Sequence, residues 1–179
     1  LNKVKNVKIE NVVVGDKNKM MRLNKKIIDN KKEIEVDYKG INPINFGALS
    51  LGKFGEKVKM IKMDDYIKKE KIGNIKLIKV DVEGAEPLVF FGMQKTIEKN
   101  EPAIIYEKNP DISKYVEKLN KKVNNFDIDE YCFNLGYSYK IILPKHNYVL
   151  LTKMGKKIKK FCTFNTKRKF KEYKWNYEW

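Results

Sequence analysis

Apolar positions along the chain fall into short runs with two distinct periods. From Val7 to Val14 the run VKIENVVV is rich in β-branched residues and stops at Gly15-Asp16, which predicts a buried strand ending in a turn. Lys17 to Asn30 is polar with only short apolar patches, and Glu33 to Tyr38 alternates as a half-exposed strand does. A Gly-containing loop, residues 40–55, separates it from a second alternating strand, Val58 to Met63. Asp64 is suited to cap a short helix carrying Tyr66 and Ile67.

The second half has a clearer rhythm. Ile75 to Val82 predicts an apolar strand, Gly84 a turn, and Pro87 the first turn of a helix running to about Asn100. Proline is tolerated there because the first helical amides have no intrahelical partner. Pro102 opens another strand, Ala103 to Tyr106, ending at Glu107. Strand, turn, helix and strand within this span make a βαβ unit, the building block of a parallel sheet. A short helix follows near Ser113 to Asn120, then one capped by Asp127 and closed by Gly136. Tyr137 to Leu143 and Tyr148 to Thr152 alternate around a Pro144-containing turn, which predicts a hairpin closing the sheet with an antiparallel pair.

Composition restricts what this α/β chain does. At 179 residues it suits one domain, and 42% hydrophobic residues are enough for a packed core. Its 39 basic and 23 acidic residues give +16. Only Arg22 and Arg168 are arginines, whereas bidentate recognition of phosphate and guanine favours arginine. Lysine-, asparagine- and isoleucine-rich usage with alanine at only 48, 85 and 103 is what AT-rich coding produces. Nucleic acid is therefore not the expected partner of the domain. Half the net charge lies in residues 153–179, where lysines interleave with Phe161, Phe164, Phe170, Tyr173, Trp175, Tyr177 and Trp179. We read residues 1–152 as the domain and 153–179 as a basic, aromatic tail. The tail either docks on the domain as a helix or arm, or meets an anionic partner.

Two cysteines thirty residues apart and a single histidine, His146, exclude a zinc site. Such cysteine usage points to reduced thiols and a cytoplasmic location, with Cys132 in the core and His146 in a surface turn. No apolar run approaches the length of a membrane span. Ser50 sits in a loop with neither a nucleophile elbow nor a triad around it, so serine hydrolase chemistry has no support.

Ligands of open parallel sheets bind beyond the carboxyl ends of the strands. Asp16, Asp81, Glu83 and Glu107 all sit at such ends. Asp81 and Glu83 are two apart and share a side while the strand lasts. Paired carboxylates there act as a general base, orient a substrate hydroxyl or ligate a hard cation, or else cap the following helix.

The block IKLIKVDVEGAEPLVFFGMQKTIEKNEPAIIYE, residues 75–107, resembles the signature of FkbM-type S-adenosylmethionine-dependent methyltransferases. Its neighbours agree in order: NVKIENVVVGD, NFGALSLG, VKMIKMDDYI and the hairpin 137–152 each resemble elements of that family. The resemblance implies a Rossmann-like class I methyltransferase fold, mostly parallel with a closing antiparallel hairpin, moving a methyl from S-adenosylmethionine to a hydroxyl of a sugar or glycoconjugate. By the same resemblance Asp81 stands beside the methyl donor and acceptor hydroxyl with Glu83 supporting it. Val14, Gly15 and Asp16 lie at the cofactor, Glu107 and Ser50 on the substrate side, and no resident metal is implied.

The family's glycine-rich first turn and its second acidic strand have no counterpart here, so about two strand–helix units are expected to be missing. A fragment, a split gene completed by a partner and a decayed copy without activity all fit that departure.

Overall fold

The computed structural model describes residues 6–29, 32–36, 51–108, 114–142, 148–153, 162–165 and 171–175. Ser50 and His146 lie outside the described residues. The elements are β1 (Val13–Gly15), β2 (Lys19–Leu23), β3 (Lys26–Asp29), β4 (Lys32–Glu35), β5 (Leu51–Gly52), β6 (Lys57–Lys62), α1 (Met63–Lys69), β7 (Leu77–Val80), α2 (Glu86–Gly92), α3 (Gln94–Asn100), β8 (Ala103–Glu107), α4 (Lys114–Leu119), α5 (Ile128–Asn134), β9 (Tyr139–Ile142), β10 (Tyr148–Thr152), β11 (Cys162–Asn165) and β12 (Lys171–Trp175), with a 3₁₀ turn at Lys121–Asn125.

Two sheets carry the fold: β1-β6-β2-β5 and β11-β12-β9-β10-β8-β7, while β3 and β4 form a separate hairpin. The expected mixture of strands and helices is present, but the expectation of a mostly parallel sheet is corrected. Only β1–β6, β7–β8 and β9–β12 run parallel among the described pairings, and the others are antiparallel. Parallel neighbours need a long crossover, and most strands here are joined by turns too short to supply one. The βαβ unit and the closing hairpin β9–β10 are as expected. In the tail, the backbones of β11 and β12 extend the second sheet through β9, so its described part is strand and not helix.

Other expectations are corrected in detail. The first strand is confined to Val13–Gly15, with Val7 62% and Ile9 86% exposed. Among the described residues its partner is β6, which pairs with those three residues, and the upstream β propensity finds no described strand to pair with. The polar stretch after it does form strands, because β2 finds a partner on each side in β6 and β5. The single helix expected over 87–100 is broken at Met93. Asp64 accounts for the restart. It sits inside the first turn of α1, and its carboxylate accepts from the Lys95 and Thr96 amides and the Thr96 hydroxyl at the start of α3. It caps the neighbouring helix in space and not its own.

Helix α2 is buried on nearly every face. Val89 and Phe90 join Ile78, Val80, Ile97, Ile104, Tyr106, Cys132 and Leu151 against the second sheet. Leu88 joins Met21, Leu51, Met60, Val116 and Val123 under the first. Burial pushes the Cys132 thiol up to about 12, as expected of an inert core cysteine. At its C-terminal end α2 meets β1 backbone to backbone: a Cβ built on Gly92 would stand 1.9 Å from the Gly15 carbonyl oxygen.

Beneath the hairpin lies a buried ion cluster. Asp129 of α5 accepts from the Tyr106 hydroxyl, from Lys140 at 2.7 Å and from Lys108 at 3.0 Å. Burial alone raises the Asp129 carboxyl, but hydrogen bonds from Lys140 and Tyr106 bring it below its ordinary value.

Asp129→Asn is expected to cost about 3–5 kcal/mol in urea unfolding, since it removes the buried charge that Lys140, Lys108 and the Tyr106 hydroxyl are bonded to. Because the folded-state value is depressed, this stabilisation is present above the unfolded value of 3.8 and is lost as pH falls below it. The acid limb of stability against pH is accordingly steeper in the wild type than in the Asn variant. Gly92→Ala is expected to destabilise by about 1–3 kcal/mol, because backbone on the facing side cannot yield cheaply; a thermal melt equal to wild type would contradict that contact.

Candidate functional site

The site begins where β7 stops. Val80 is the last strand residue, Asp81 follows, and Glu83 and Gly84 take positive φ values of 50° and 86°. Gly84 does so freely, whereas a glutamate in the left-handed region is strained, and such strain persists only where surroundings enforce it. The enforcing group is Glu86. Its buried Oε1 accepts from the Val82 amide at 3.2 Å and the Gly84 amide at 3.4 Å, closing the turn from beneath. Burial raises the Glu86 carboxyl, and these backbone bonds partly offset that.

The open possibility that the acids cap the next helix now divides. Glu86 holds the turn, while α2 has no side-chain hydrogen bond from its N-cap residue and Glu83 remains outside that role.

Asp81 is held on two sides. Its Oδ2 accepts from Lys79 Nζ at 2.8 Å and from the Tyr148 hydroxyl at 2.6 Å. The Lys79 ammonium, and then the Tyr148 hydroxyl, keep the Asp81 carboxyl below the usual carboxylate range. Lys79 also lies 5.0 Å from the centroid of the Tyr148 ring. Tyr148 reaches the site because β10 pairs with β8, opposite Glu107.

Asp81, Glu83 and Glu107 each offer an oxygen within 4.8 Å of the others. One Glu107 oxygen, Oε2, is buried with no hydrogen-bond partner among the described residues. Glu83 is raised above its ordinary value, first by burial and then by the charges of Glu107, Asp81 and Glu86. The arrangement therefore holds one carboxylate firmly ionised beside another that takes up a proton more readily. Three such oxygens suit a cation, whether a sulfonium, an ammonium or a hard metal ion.

The residues expected at a cofactor lie elsewhere in the fold. Asp16 follows β1, accepts from Asn120 Nδ2 at 3.0 Å, and keeps Oδ1 buried without a partner among the described residues. Gly15 packs against Met60 and Gly92. Val14 faces an apolar groove beside β7. The structure thus gathers Asp81, Glu83 and Glu107 and leaves Val14, Gly15 and Asp16 outside that cluster. Reading the sequence missed Lys79, Asn120 and Tyr148. Lys79 was discoverable, since it stands two before Asp81 and shares its side of the strand. Tyr148 was not, because its position depends on a long-range strand pairing.

A comparison with protein families finds that residues 6–139 match the FkbM methyltransferase domain. No curated protein and no solved structure matches the chain. The match takes in β7, the Glu86-pinned turn, β8 and the acidic cluster at their ends. By a match across most of its length, this chain belongs to the FkbM methyltransferase family.

Proposed function

We propose that the protein transfers a methyl group from S-adenosylmethionine to a hydroxyl oxygen, and the family resemblance favours a sugar or glycoconjugate as the carrier of that hydroxyl. The observation that carries the reading is the convergence of Asp81, Glu83 and Glu107 at the ends of adjacent parallel strands. The residues suit the cofactor in kind. Asp16 Oδ1 and Glu107 Oε2 are buried acceptors without partners among the described residues, matching a cationic ligand rich in N–H and O–H donors. Gly15 and Asp16 would hold its adenine end. When bound, S-adenosylmethionine supplies an electrophilic methyl on a cationic sulfur.

The remaining work falls to the chain's own side chains. Asp81, kept ionised by Lys79 and Tyr148, is a weak base and a good acceptor, so it orients the incoming hydroxyl. Glu83, with its raised affinity for a proton, takes the hydroxyl proton as the oxygen gains the methyl. Glu107 stands on the acceptor side and sustains the raised value of Glu83 through its charge.

Asp81→Asn is expected to lower methyl transfer by about 10²-fold through lost orientation of the hydroxyl, with affinity for S-adenosylhomocysteine unchanged. Calorimetry with S-adenosylhomocysteine and transfer of labelled methyl to soluble glycans read the two effects separately. Equal turnover removes Asp81 from the reaction, and failure of S-adenosylhomocysteine to bind overturns the whole reading.

The reaction needs Glu83 deprotonated, so activity falls as pH drops through its raised value, above the ordinary 4.5. Glu107→Gln removes a like charge and lowers the Glu83 value, which moves the acid limb of the rate profile to lower pH. A limb that stays in place shows that Glu83 is not the proton acceptor.

A further inference from the structure

A hollow of about 400 Å³ opens between α1 and α3. Lys68 of α1, Lys71 just beyond it, and Lys95 and Lys99 of α3 all line it. One carboxylate joins them, Asp64, and its oxygens already accept from the Lys95 and Thr96 amides and the Thr96 hydroxyl. Four ammonium groups against one acid leave an excess of three positive charges in a concave space. The hollow reaches Asn100, whose side chain accepts from the Ile75 amide, whereas the carboxylate cluster begins at Asp81. Extended chain from Ile75 to Asp81 covers roughly 20 Å, so the two regions are separate.

The other acids of these two helices and their ends turn to partners outside the hollow. Asp65 accepts from Asn18, Glu70 from Lys8 and Glu101 from Lys153, while Glu98 acts on the Tyr131 hydroxyl. None of the four lysines forms an ion pair with a described residue. A coding bias toward lysine raises the number of lysines over the whole chain, but it does not clear the acids from one hollow.

Two of the lysines stand where the local backbone disfavours them. Helix α1 closes in a Schellman turn, with the Ile72 amide on the Ile67 carbonyl and the Lys71 amide on the Lys68 carbonyl. Its left-handed position holds Lys71, at a φ of 54°, where glycine is the ordinary occupant and a side chain is strained. Lys95 sits in the first turn of α3, where a cation opposes the partial positive charge of the helix start. Local rules broken twice around one cavity mark a site more than a solvated surface.

We infer that this hollow binds a small phosphoanion of the diphosphate class, independently of the methyl-transfer reading. Lysine ammonium groups are rotatable point charges suited to phosphoryl oxygens. One phosphoryl group carries about two negative charges at pH 7, so two linked groups match the excess better than one. Concavity favours a small ligand over a duplex or a bilayer, which meets a broad basic face. Asp64 already occupies the amides at the start of α3, so the ligand is held by the ammonium groups.

The test titrates the full chain with inorganic pyrophosphate at low ionic strength, followed by calorimetry and amide NMR. One ion is expected to bind per chain, to raise the melting temperature and to shift the Lys71, Gly73 and Lys95 amides. Lys71→Gly and Lys95→Gln are each expected to weaken pyrophosphate about tenfold. Each removes a local conflict, so without the anion neither melts below the wild type. Lys53→Gln and Lys121→Gln, at exposed lysines elsewhere, are expected to leave the affinity unchanged. The proposal is overturned if pyrophosphate does not bind, if those two controls weaken it as much, or if monophosphate binds as tightly. It is equally overturned if single-stranded DNA or phosphatidylserine vesicles engage these lysines and pyrophosphate does not displace them.

Discussion

The ends of β1 and β7 are positioned from α2. This seven-residue helix is gripped by both cores at once, with Leu88 under one sheet and Phe90 under the other. Its last residue lies so close to the backbone of β1 that only glycine fits at position 92. Its first residue, Glu86, is turned back to hold the amides of Val82 and Gly84. One short helix thus joins the end of β1 to the end of β7, and the two strand ends carry Asp16 and Asp81. Packing is what fixes their relation, since interiors of this density do not let a helix slide by fractions of its diameter.

The charge of the chain looks different from this position. A protein of +16 gathers three carboxylates at one place, and its lysines are what make that tolerable. Lys79 neutralises Asp81 from the same strand face, and a tyrosine from β10 adds a hydrogen bond. Burial and the charges of Glu107, Asp81 and Glu86 leave Glu83 with a raised proton affinity. Like groups in one cluster are driven apart in behaviour by their partners, which is the usual way a site obtains an anchored acceptor and a proton acceptor from the same residue types. The cluster under α5 follows the opposite course. Asp129 there is surrounded by Tyr106, Lys108 and Lys140, and its role is to stabilise the sheet.

Much of this was legible in the letters. The alternation of Val58 to Met63, the Pro87 start of α2, the Asp127 cap of α5 and the Gly136 stop are local signals, and each corresponds to an element as expected. What failed failed for non-local reasons. Val7 and Ile9 have strand propensity but pair with no strand among the described residues, β2 looked polar but has neighbours on both sides, and Asp64 caps a helix some thirty residues away. Propensity describes what a segment tolerates, and pairing partners decide whether it is used.

The sequence by itself determined the acids that end β7 and β8, the family to which their spacing belongs, and the βαβ unit that sets them side by side. These are consequences of residue order over a short span. Only the tertiary structure decided which acid holds the turn and which joins the cluster with Asp81 and Glu107, because Glu86 is separated from Glu83 by burial and not by type. The same holds for Tyr148 at Asp81 and for the apolar channel beside β7: each arises where distant segments meet, and burial, hydrogen-bond partners and open strand edges exist only after they have met.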